Sequence, residues 1–222
     1  MPVIDARPRQ FVYEIASTAL IVVDMQRDFL GAKGWAAATG LDINRLAAIV
    51  PNVQKLLAVA RGARMMVIHT REGHRPDLND CPPTKRYRRK PNIGDEGEEG
   101  RYLVTGEFCN DIIDEVKPLP GEAVLDKPGK GAFYATSLEH ILRANRISGL
   151  IFAGVTAEMC VEATIREAND RGFDCLLVED ATDSYDAELL AGVLRLLRRG
   201  TIGSSAALVN VVASLEGGIT ST

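Results

Sequence analysis

The sequence predicts an α/β fold, a three-layer Rossmann-like arrangement in which helices cover both faces of a parallel sheet of about six strands. Two observations indicate it. Apolar runs of strand length recur along the chain, and between them lie longer segments whose apolar residues recur at helical spacing. Such alternation implies right-handed strand–helix–strand crossovers, which place a ligand site beyond the carboxyl ends of the strands.

The N-terminal elements follow from three apolar runs and one helical pattern. Thr18–Asp24 is apolar nearly throughout and ends on a carboxylate, which predicts a buried strand. Leu46–Ala60 carries apolar residues at helical spacing, and Met65–Thr70 is a second apolar run that predicts a strand. A third strand is expected over Ala123–Leu125, after a long polar segment.

The C-terminal elements alternate strand and helix at closer spacing. A helix is predicted over Ser137–Asn145, followed by a strand over Gly149–Ala153 whose apolar run stops at Gly154. A second helix is predicted over Glu158–Arg171 and a strand over Phe173–Val178. Strand ends in this order place Asp24, His69, Lys127 and Cys160 at one edge of the sheet.

Length and composition favour one domain over residues 1–222, because a chain of 222 residues with 46% hydrophobic residues buries a full core. A net charge of −4 gives no general affinity for nucleic acid or an anionic membrane, so neither is expected as a partner. No apolar run approaches the roughly 18 residues of a spanning helix, and the N-terminus lacks a signal-peptide pattern. The four cysteines form no C-x-x-C pair. We therefore expect a cytoplasmic protein.

Residues 71–120 interrupt the alternation of strands and helices. The segment is polar and rich in Pro and Gly, and an acidic stretch at 95–99 follows a basic patch of Lys85, Arg86, Arg88, Arg89 and Lys90. A loop of this length is usually functional or disordered. The sequence leaves two interpretations open, a solvated excursion and a lid or subunit contact.

Cys160 is the leading candidate for chemistry. It follows the Gly149–Ala153 strand and lies in the first turn of the next predicted helix. Unpaired N–H groups and the helix dipole at such a position stabilise a thiolate and a developing oxyanion. The alternative is a buried structural cysteine.

Asp24 and Lys127 lie at two other strand ends. A carboxylate at the end of an apolar strand is costly unless it is paired or functional, although a helix cap is the ordinary alternative. Lys127 begins a turn through Pro128 and Gly129 that can direct its ammonium into the same crevice, whereas most lysines in such turns are solvated. Backbone N–H groups of Thr156 and Cys160 are candidates for an oxyanion hole.

Three motifs together resemble the cysteine-hydrolase branch of the isochorismatase-like superfamily, over about residues 19–208. They are the strand ending at Asp24 with Met25-Gln26 and Asp28-Phe29 after it, the turn Asp126-Lys127-Pro128 leading to Ala132-Phe133, and Gly154-Val155-Thr156 followed by Cys160-Val161. The branch includes nicotinamidases and amidohydrolases acting on N-carbamoylsarcosine, ureidoacrylate, biuret and triuret.

The resemblance implies a catalytic triad of Asp24, Lys127 and Cys160, and a cis peptide between Val155 and Thr156. Nicotinamidases carry an Asp-x-His motif and further histidines for a metal. This chain has three histidines and no Asp-x-His, so we expect neither a metal nor another cofactor. The segments 69–77, 126–131 and 166–172 look most like the biuret and triuret hydrolases, whereas the turn from Gly200 to Ser205 is shorter than theirs.

Five residues are candidates for binding the substrate. By the resemblance, Phe29 would form one wall of a small pocket. Glu72 and Arg75 can hydrogen-bond a ureide, and Phe133 and Tyr134 follow the lysine turn closely enough to contact it. His74 also falls in this region. Core packing is the alternative for the aromatic residues, and a solvated loop is the alternative for the polar ones.

The sequence thus predicts a metal-independent amidohydrolase of a small ureide, biuret or triuret being favoured, with water as the second reactant and a dimer or tetramer as the assembly. An N-carbamoyl amino acid or ureidoacrylate amidohydrolase is the alternative, if Arg71 or Arg75 binds a carboxylate. Two other classes are considered. A non-catalytic interaction module would have no use for a buried Asp and Lys beside a thiol, and a vinyl-ether hydrolase would not need the cysteine.

Overall fold

The structure is a computed structural model that describes residues 1–219, with side chains through residue 217. Its centre is a six-stranded parallel sheet in the order β10-β9-β8-β3-β4-β7. The strands are β1 (Val3–Ile4), β2 (Phe11–Val12), β3 (Thr18–Val23), β4 (Met66–Glu72), β5 (Glu96–Gly97), β6 (Gly100–Arg101), β7 (Ala123–Lys127), β8 (Gly149–Val155), β9 (Asp174–Asp183) and β10 (Ser204–Ala206). The predicted fold class is confirmed.

Nine α-helices connect and cover these strands within residues 1–219. They are α1 (Arg27–Leu30), α2 (Trp35–Ala38), α3 (Asn44–Ala48), α4 (Val50–Gly62), α5 (Pro83–Arg86), α6 (Leu138–Ala144), α7 (Glu162–Asp170), α8 (Ala187–Leu197) and α9 (Leu208–Ile219). A single π-helical turn over Ala157–Val161 leads into α7, and 3-10 turns lie at Ile15–Ser17 and Asp114–Val116. None of the helices in the described part of the chain is both long and apolar enough to cross a membrane.

β3 lies at the middle of the sheet, and all six of its residues are buried. Its side chains alternate between two apolar cores. Leu20 and Val22 pack on the face covered by α4 and α9, whereas Ile21 and Val23 pack on the face covered by α6, α7 and α8. Each fully buried aliphatic side chain contributes roughly 1.5–3 kcal/mol to the free energy of unfolding. The two cores hold the sheet, and its carboxyl edge, in a fixed position.

Several boundaries differ from the predicted ones for physical reasons. The predicted helix over Leu46–Ala60 is two helices, α3 and α4, with Pro51 in the first turn of the second, where proline is tolerated. β4 extends beyond Thr70 to Glu72, because Glu72 pairs with Lys127 in the register of β7. The predicted strand over Phe173–Val178 begins one residue later and continues to Asp183.

Three C-terminal elements were not assigned from the sequence: α8, β10 and α9. β10 has no apolar run, because it consists of the buried Ser204, Ser205 and Ala206 paired with β9. Its signal lies in pairing across the sheet and not in local periodicity.

The 71–120 segment is tied to the carboxyl edge of the sheet by buried polar side chains. Gln26 Nε2 donates to the carbonyls of Glu72 (3.0 Å) and Asn110 (2.8 Å). Asp28 accepts from the backbone N–H of Leu103 at 2.9 Å and of Trp35 at 3.2 Å, and burial raises its pKa to about 6. This part of the chain is therefore anchored beside the candidate site. Its role as a lid or subunit contact stays a prediction.

Candidate active site

Four neighbouring strands deliver charged or nucleophilic side chains to one point at the carboxyl edge of the sheet. Asp24 follows β3 with a φ of +48°, a conformation that Asp tolerates better than most residues. Glu72 ends β4, Lys127 ends β7, and Cys160 follows β8. Asp24, Lys127 and Cys160 lie at the edge where the sequence placed them. His69 does not, because β4 continues to Glu72 and the His69 ring contacts Glu122 at 3.0 Å.

Gly154 allows β8 to approach β3 closely just before the nucleophile candidate. Its φ is +105°, and a Cβ built there would lie 2.1 Å from the carbonyl oxygen of Val23. Only glycine fits both the conformation and the space. The next turn of chain therefore lies against the end of β3, which brings Cys160 near Asp24.

Cys160 lies in the π-helical turn and is 3% exposed. Its Sγ donates to Glu72 Oε2 at 3.2 Å, and its carbonyl accepts from Thr164 Oγ1 at 2.6 Å. Burial raises the pKa of the thiol well above its usual value, although the nearby Lys127 acts in the opposite direction. The resting site therefore holds a thiol whose proton points at a carboxylate.

Asp24 and Lys127 form a fully buried ion pair. Lys127 Nζ lies 2.8 Å from Asp24 Oδ2, and it also donates to the carbonyls of Gly129 and Lys130 at 3.0 Å each. Thr70 Oγ1 donates to the other carboxylate oxygen at 2.6 Å. Burial alone would lower the pKa of Lys127, but the charge of Asp24 raises it above its ordinary value. The ammonium is thus permanently charged and held in place.

Glu72 is the second buried carboxylate of the site and is 1% exposed. Lys130 Nζ contacts both its oxygens, at 2.8 and 2.9 Å, while Lys85 and Lys127 lie 3.5 and 3.9 Å away. Burial would raise its pKa, but these three ammonium groups hold it at about 2. Sequence reasoning named Glu72 but missed Lys130 and Lys85. The signal for Lys130 was its place in the same turn as Lys127.

We call Asp24, Glu72, Lys127, Lys130 and Cys160 the inner set. One ligand-type atom each from Asp24, Glu72 and Cys160 lie within 4.8 Å of one another, a spacing that also suits a cation. Both carboxylates, however, are already neutralised by lysine ammonium groups. The expectation that no metal takes part stays a prediction.

The predicted oxyanion-hole residues lie where β8 passes into the π-helical turn. The peptide between Val155 and Thr156 is cis, as the resemblance implies. The carbonyl of Thr156 accepts from the N–H groups of Met159 and Val161, both at 3.2 Å, which closes the turn around Cys160. A nucleophile, a carboxylate, a fixed cation and a tight backbone turn are the parts that nucleophilic acyl chemistry needs.

A cavity of about 620 Å³ leads from the surface to Glu72 and Lys130. Glu72 and Lys130 line its inner end, and Trp35 and Tyr134 contribute aromatic surface. Three arginines from the basic patch, Arg86, Arg88 and Arg89, also line it, and we call them the mouth. Sequence reasoning noted the basic patch without assigning it to the site, because its position over the cavity depends on the path of the 71–120 segment.

The residues predicted to bind substrate are divided between the cavity and the rest of the fold. Glu72 and Tyr134 line the cavity. Phe29 and Phe133 are buried in the two apolar cores, and Phe133 packs against Phe173 with ring centroids 5.9 Å apart. The side chain of Arg75 is 69% exposed and pairs with Asp77 at 3.4 Å.

Comparisons with known proteins identify the family of this chain. The isochorismatase domain family matches residues 18–207. A ureidoacrylate amidohydrolase from Cronobacter turicensis is 31% identical over 188 residues, which cover 80% of this chain and 79% of that protein.

Two solved structures extend the similarity to the whole architecture. A cysteine hydrolase from Pseudomonas syringae pv. phaseolicola is 25% identical, with a TM-score of 0.82 and 98% of each chain covered. An N-carbamoylsarcosine amidase from Thermoplasma acidophilum is 27% identical, with a TM-score of 0.67 over 86% of this chain and 96% of that one. The chain belongs to the isochorismatase family of hydrolases.

Proposed function

We propose that this protein is a metal-independent cysteine amidohydrolase that cleaves a C–N bond of a small ureide and releases ammonia. The observation that carries the proposal is the buried arrangement of Cys160 beside Asp24 and Lys127, in which the ammonium lies 2.8 Å from the carboxylate and the thiol lies within 4.8 Å of it. The names of the ureidoacrylate amidohydrolase and N-carbamoylsarcosine amidase relatives support the amide bond as the target.

The reaction follows from the roles these groups are able to take. Asp24 accepts the thiol proton as Cys160 Sγ attacks the carbonyl carbon, and Lys127 stabilises the negative charge on sulfur. Backbone N–H groups of Thr156 and Cys160 stabilise the oxyanion. The C–N bond then breaks, Asp24 returns the proton to the departing ammonia, and water hydrolyses the thiocarbamate that remains on sulfur.

Biuret and triuret are the substrates that the sequence motifs favour. Both are neutral ureides whose terminal carbamoyl group releases ammonia. Glu72 at the inner end of the cavity supports a ureide, because carboxylate oxygens accept hydrogen bonds from ureide N–H groups.

The mouth favours a second candidate, an anionic N-carbamoyl amino acid or ureidoacrylate. Arg86, Arg88 and Arg89 form no ion pair within residues 1–219, whereas Lys85 and Lys130 beside them pair with Glu72. Arg86 Nε is buried without a hydrogen-bond partner. Unpaired guanidinium groups at a cavity mouth suit a carboxylate.

The two arginines that the sequence offered for this task are already paired. Arg71 contacts Asp126 at 2.8 Å and Asp111 at 2.9 Å, and Arg75 contacts Asp77. The arginines of the mouth are therefore the groups proposed to bind the carboxylate of an anionic substrate.

A panel of substrates separates the candidates. Ammonia release is measured with biuret, triuret, N-carbamoylsarcosine, ureidoacrylate and nicotinamide, for the wild type and for Cys160→Ala. The proposal expects release from one or more ureides, little from nicotinamide, and none from the variant. Release only from nicotinamide, or equal release by Cys160→Ala, contradicts it.

The remaining expectations concern class, assembly and location. A fully buried Asp–Lys pair beside a thiol supports an enzyme over a non-catalytic module of the same fold, since an isolated buried pair is costly to keep. A dimer or tetramer, a cytoplasmic location and the absence of nucleic-acid partners stay predictions.

A further inference from the structure

Glu72 connects the cavity with the nucleophile. Its Oε2 accepts from Cys160 Sγ at 3.2 Å, and both its oxygens contact Lys130 Nζ. The cavity lining contains Glu72 and Lys130 and, within residues 1–219, does not contain Cys160. A molecule in the cavity therefore meets the Glu72–Lys130 pair before it meets the thiol.

The backbone of Glu72 is fixed as firmly as its side chain. Gln26 Oε1 accepts from its N–H at 2.7 Å, and Gln26 Nε2 donates to its carbonyl at 3.0 Å. Asn110 Nδ2 donates to the same carbonyl at 2.8 Å. The carboxylate is thus a preorganised part of the site and not a mobile side chain that happens to lie near the sulfur.

We propose that Glu72 is a further catalytic residue, an inference that rests on the proposed nucleophile. Before substrate binds, Glu72 accepts the hydrogen bond of the Cys160 thiol, until a ureide N–H replaces the S–H as its donor. The displaced thiol proton then passes from Sγ to the carboxylate of Asp24, and the thiolate attacks. The attack forms the S–C bond while the C=O π electrons move to the carbonyl oxygen, and no other bond changes in this step. Activation of sulfur is thereby coupled to occupation of the cavity.

The charges around Glu72 make it a hydrogen-bond acceptor and not a store for the proton. Its pKa of about 2, against burial that would raise it, reflects three ammonium groups. A carboxylate that stays ionised beside the sulfur disfavours the thiolate. The charged groups that act on Cys160 are Asp24, Glu72, Lys127 and Lys130. Those that act on Tyr185, which Cys160 also influences, are Glu158, Asp28 and Arg89.

The test is the rate at which iodoacetamide alkylates Cys160 in substrate-free protein, measured against pH and assigned by peptide mapping. Glu72→Gln removes a negative charge 3.2 Å from sulfur. We expect the thiol pKa to fall by about 1–3 units, and alkylation at neutral pH to rise by about tenfold for each unit. Lys130→Gln removes a positive charge and is expected to slow alkylation. The double variant restores the charge balance and is expected to return toward the wild-type rate.

Glu122→Gln is the matched control. Glu122 is another ion-paired glutamate with a pKa of about 2, and it is partly buried. Arg61, a backbone N–H and His69 outweigh the effect of its burial, but it lies just before the amino end of β7. Its substitution should leave the alkylation rate of Cys160 unchanged.

An unchanged or slower alkylation of Cys160 in Glu72→Gln overturns the proposal, as does faster alkylation in Lys130→Gln. If circular dichroism shows that Glu72→Gln does not fold, Lys130→Gln and the double variant decide: both must be folded, and the double must react faster than Lys130→Gln. No substrate enters this assay. Ammonia release by Cys160→Ala would end the proposed function, whereas the alkylation series would still report on Glu72.

Discussion

The inner set and the mouth both contain positively charged side chains, but these are paired with carboxylates in the inner set and lack an acidic partner at the mouth. Inside, each carboxylate contacts at least one ammonium group, at 2.8 Å for both Asp24 and Glu72. At the mouth, three guanidinium groups face the cavity without an acidic partner in the described chain. Asp80, the other acid in the cavity lining, accepts from the backbone N–H of Arg75 at 3.0 Å.

This difference indicates a division of labour. Asp24, Glu72 and Lys127 are buried, and buried charges must be paired, so these groups are fixed in position and able to act on bonds. The guanidinium groups of the mouth have no acidic partner in the described chain and remain free to bind an incoming anion. The inner set should therefore control kcat, and the mouth should control KM.

The largest effect is expected from Cys160→Ser. A hydroxyl has a much higher pKa than a thiol, and a site whose charges suit sulfur does not activate it. Ammonia release should fall to background while circular dichroism and the Tm stay close to wild type. Near-wild-type turnover would remove the nucleophile assignment and with it the contrast between the two regions.

Gly154→Ala should come next, because it moves the nucleophile relative to Asp24 without changing any charge. The added Cβ would lie 2.1 Å from the Val23 carbonyl at a φ of +105°. We expect a lower Tm and a fall in kcat of about 100-fold, as a misplacement near 1 Å causes. Gly192→Ala, where a Cβ meets nothing within 4 Å, is the control and should keep full activity. Equal behaviour of the two variants would show that β3 and β8 do not need this close approach.

Arg86→Gln tests the mouth. For an N-carbamoyl amino acid the KM should rise about tenfold, a loss of about 1.4 kcal/mol in binding, with kcat unchanged. For biuret neither constant should change. Arg75→Gln is the control, because Arg75 is an exposed arginine of the same segment outside the cavity. A fall in kcat, or an equal loss for neutral and anionic substrates, would contradict the proposed division.

The smallest effect is expected from removing metals. Dialysis against a chelator should leave kcat unchanged, because lysine ammonium groups supply the positive charge of the inner set. A loss of activity that zinc, iron or manganese restores would mean that Asp24, Glu72 and Cys160 bind a cation.

The sequence predicted the central architecture because β3, β4 and β8 are apolar runs whose signal is local. It also placed Asp24, Lys127 and Cys160 at strand ends, which parallel topology brings to one edge. The partners of Glu72 depend on how the 71–120 segment folds back, so no local pattern predicted that Lys85 would lie 3.5 Å from it. Phe29 and Phe133 illustrate the same limit, since aromatic residues near a motif pack into a core or face a ligand without a difference in spacing.

Whether Asp24 and Lys127 act as one unit with Cys160 is tested most directly by a double-mutant cycle. kcat is measured for Asp24→Asn, Lys127→Met and the double variant, with thermal melts to confirm folding, because each single change leaves a buried group without its partner. The account predicts that each single loses several orders of magnitude and that the double is little worse than either, since groups that act as a unit are non-additive. Modest losses in both singles, with the double equal to their product, would contradict it.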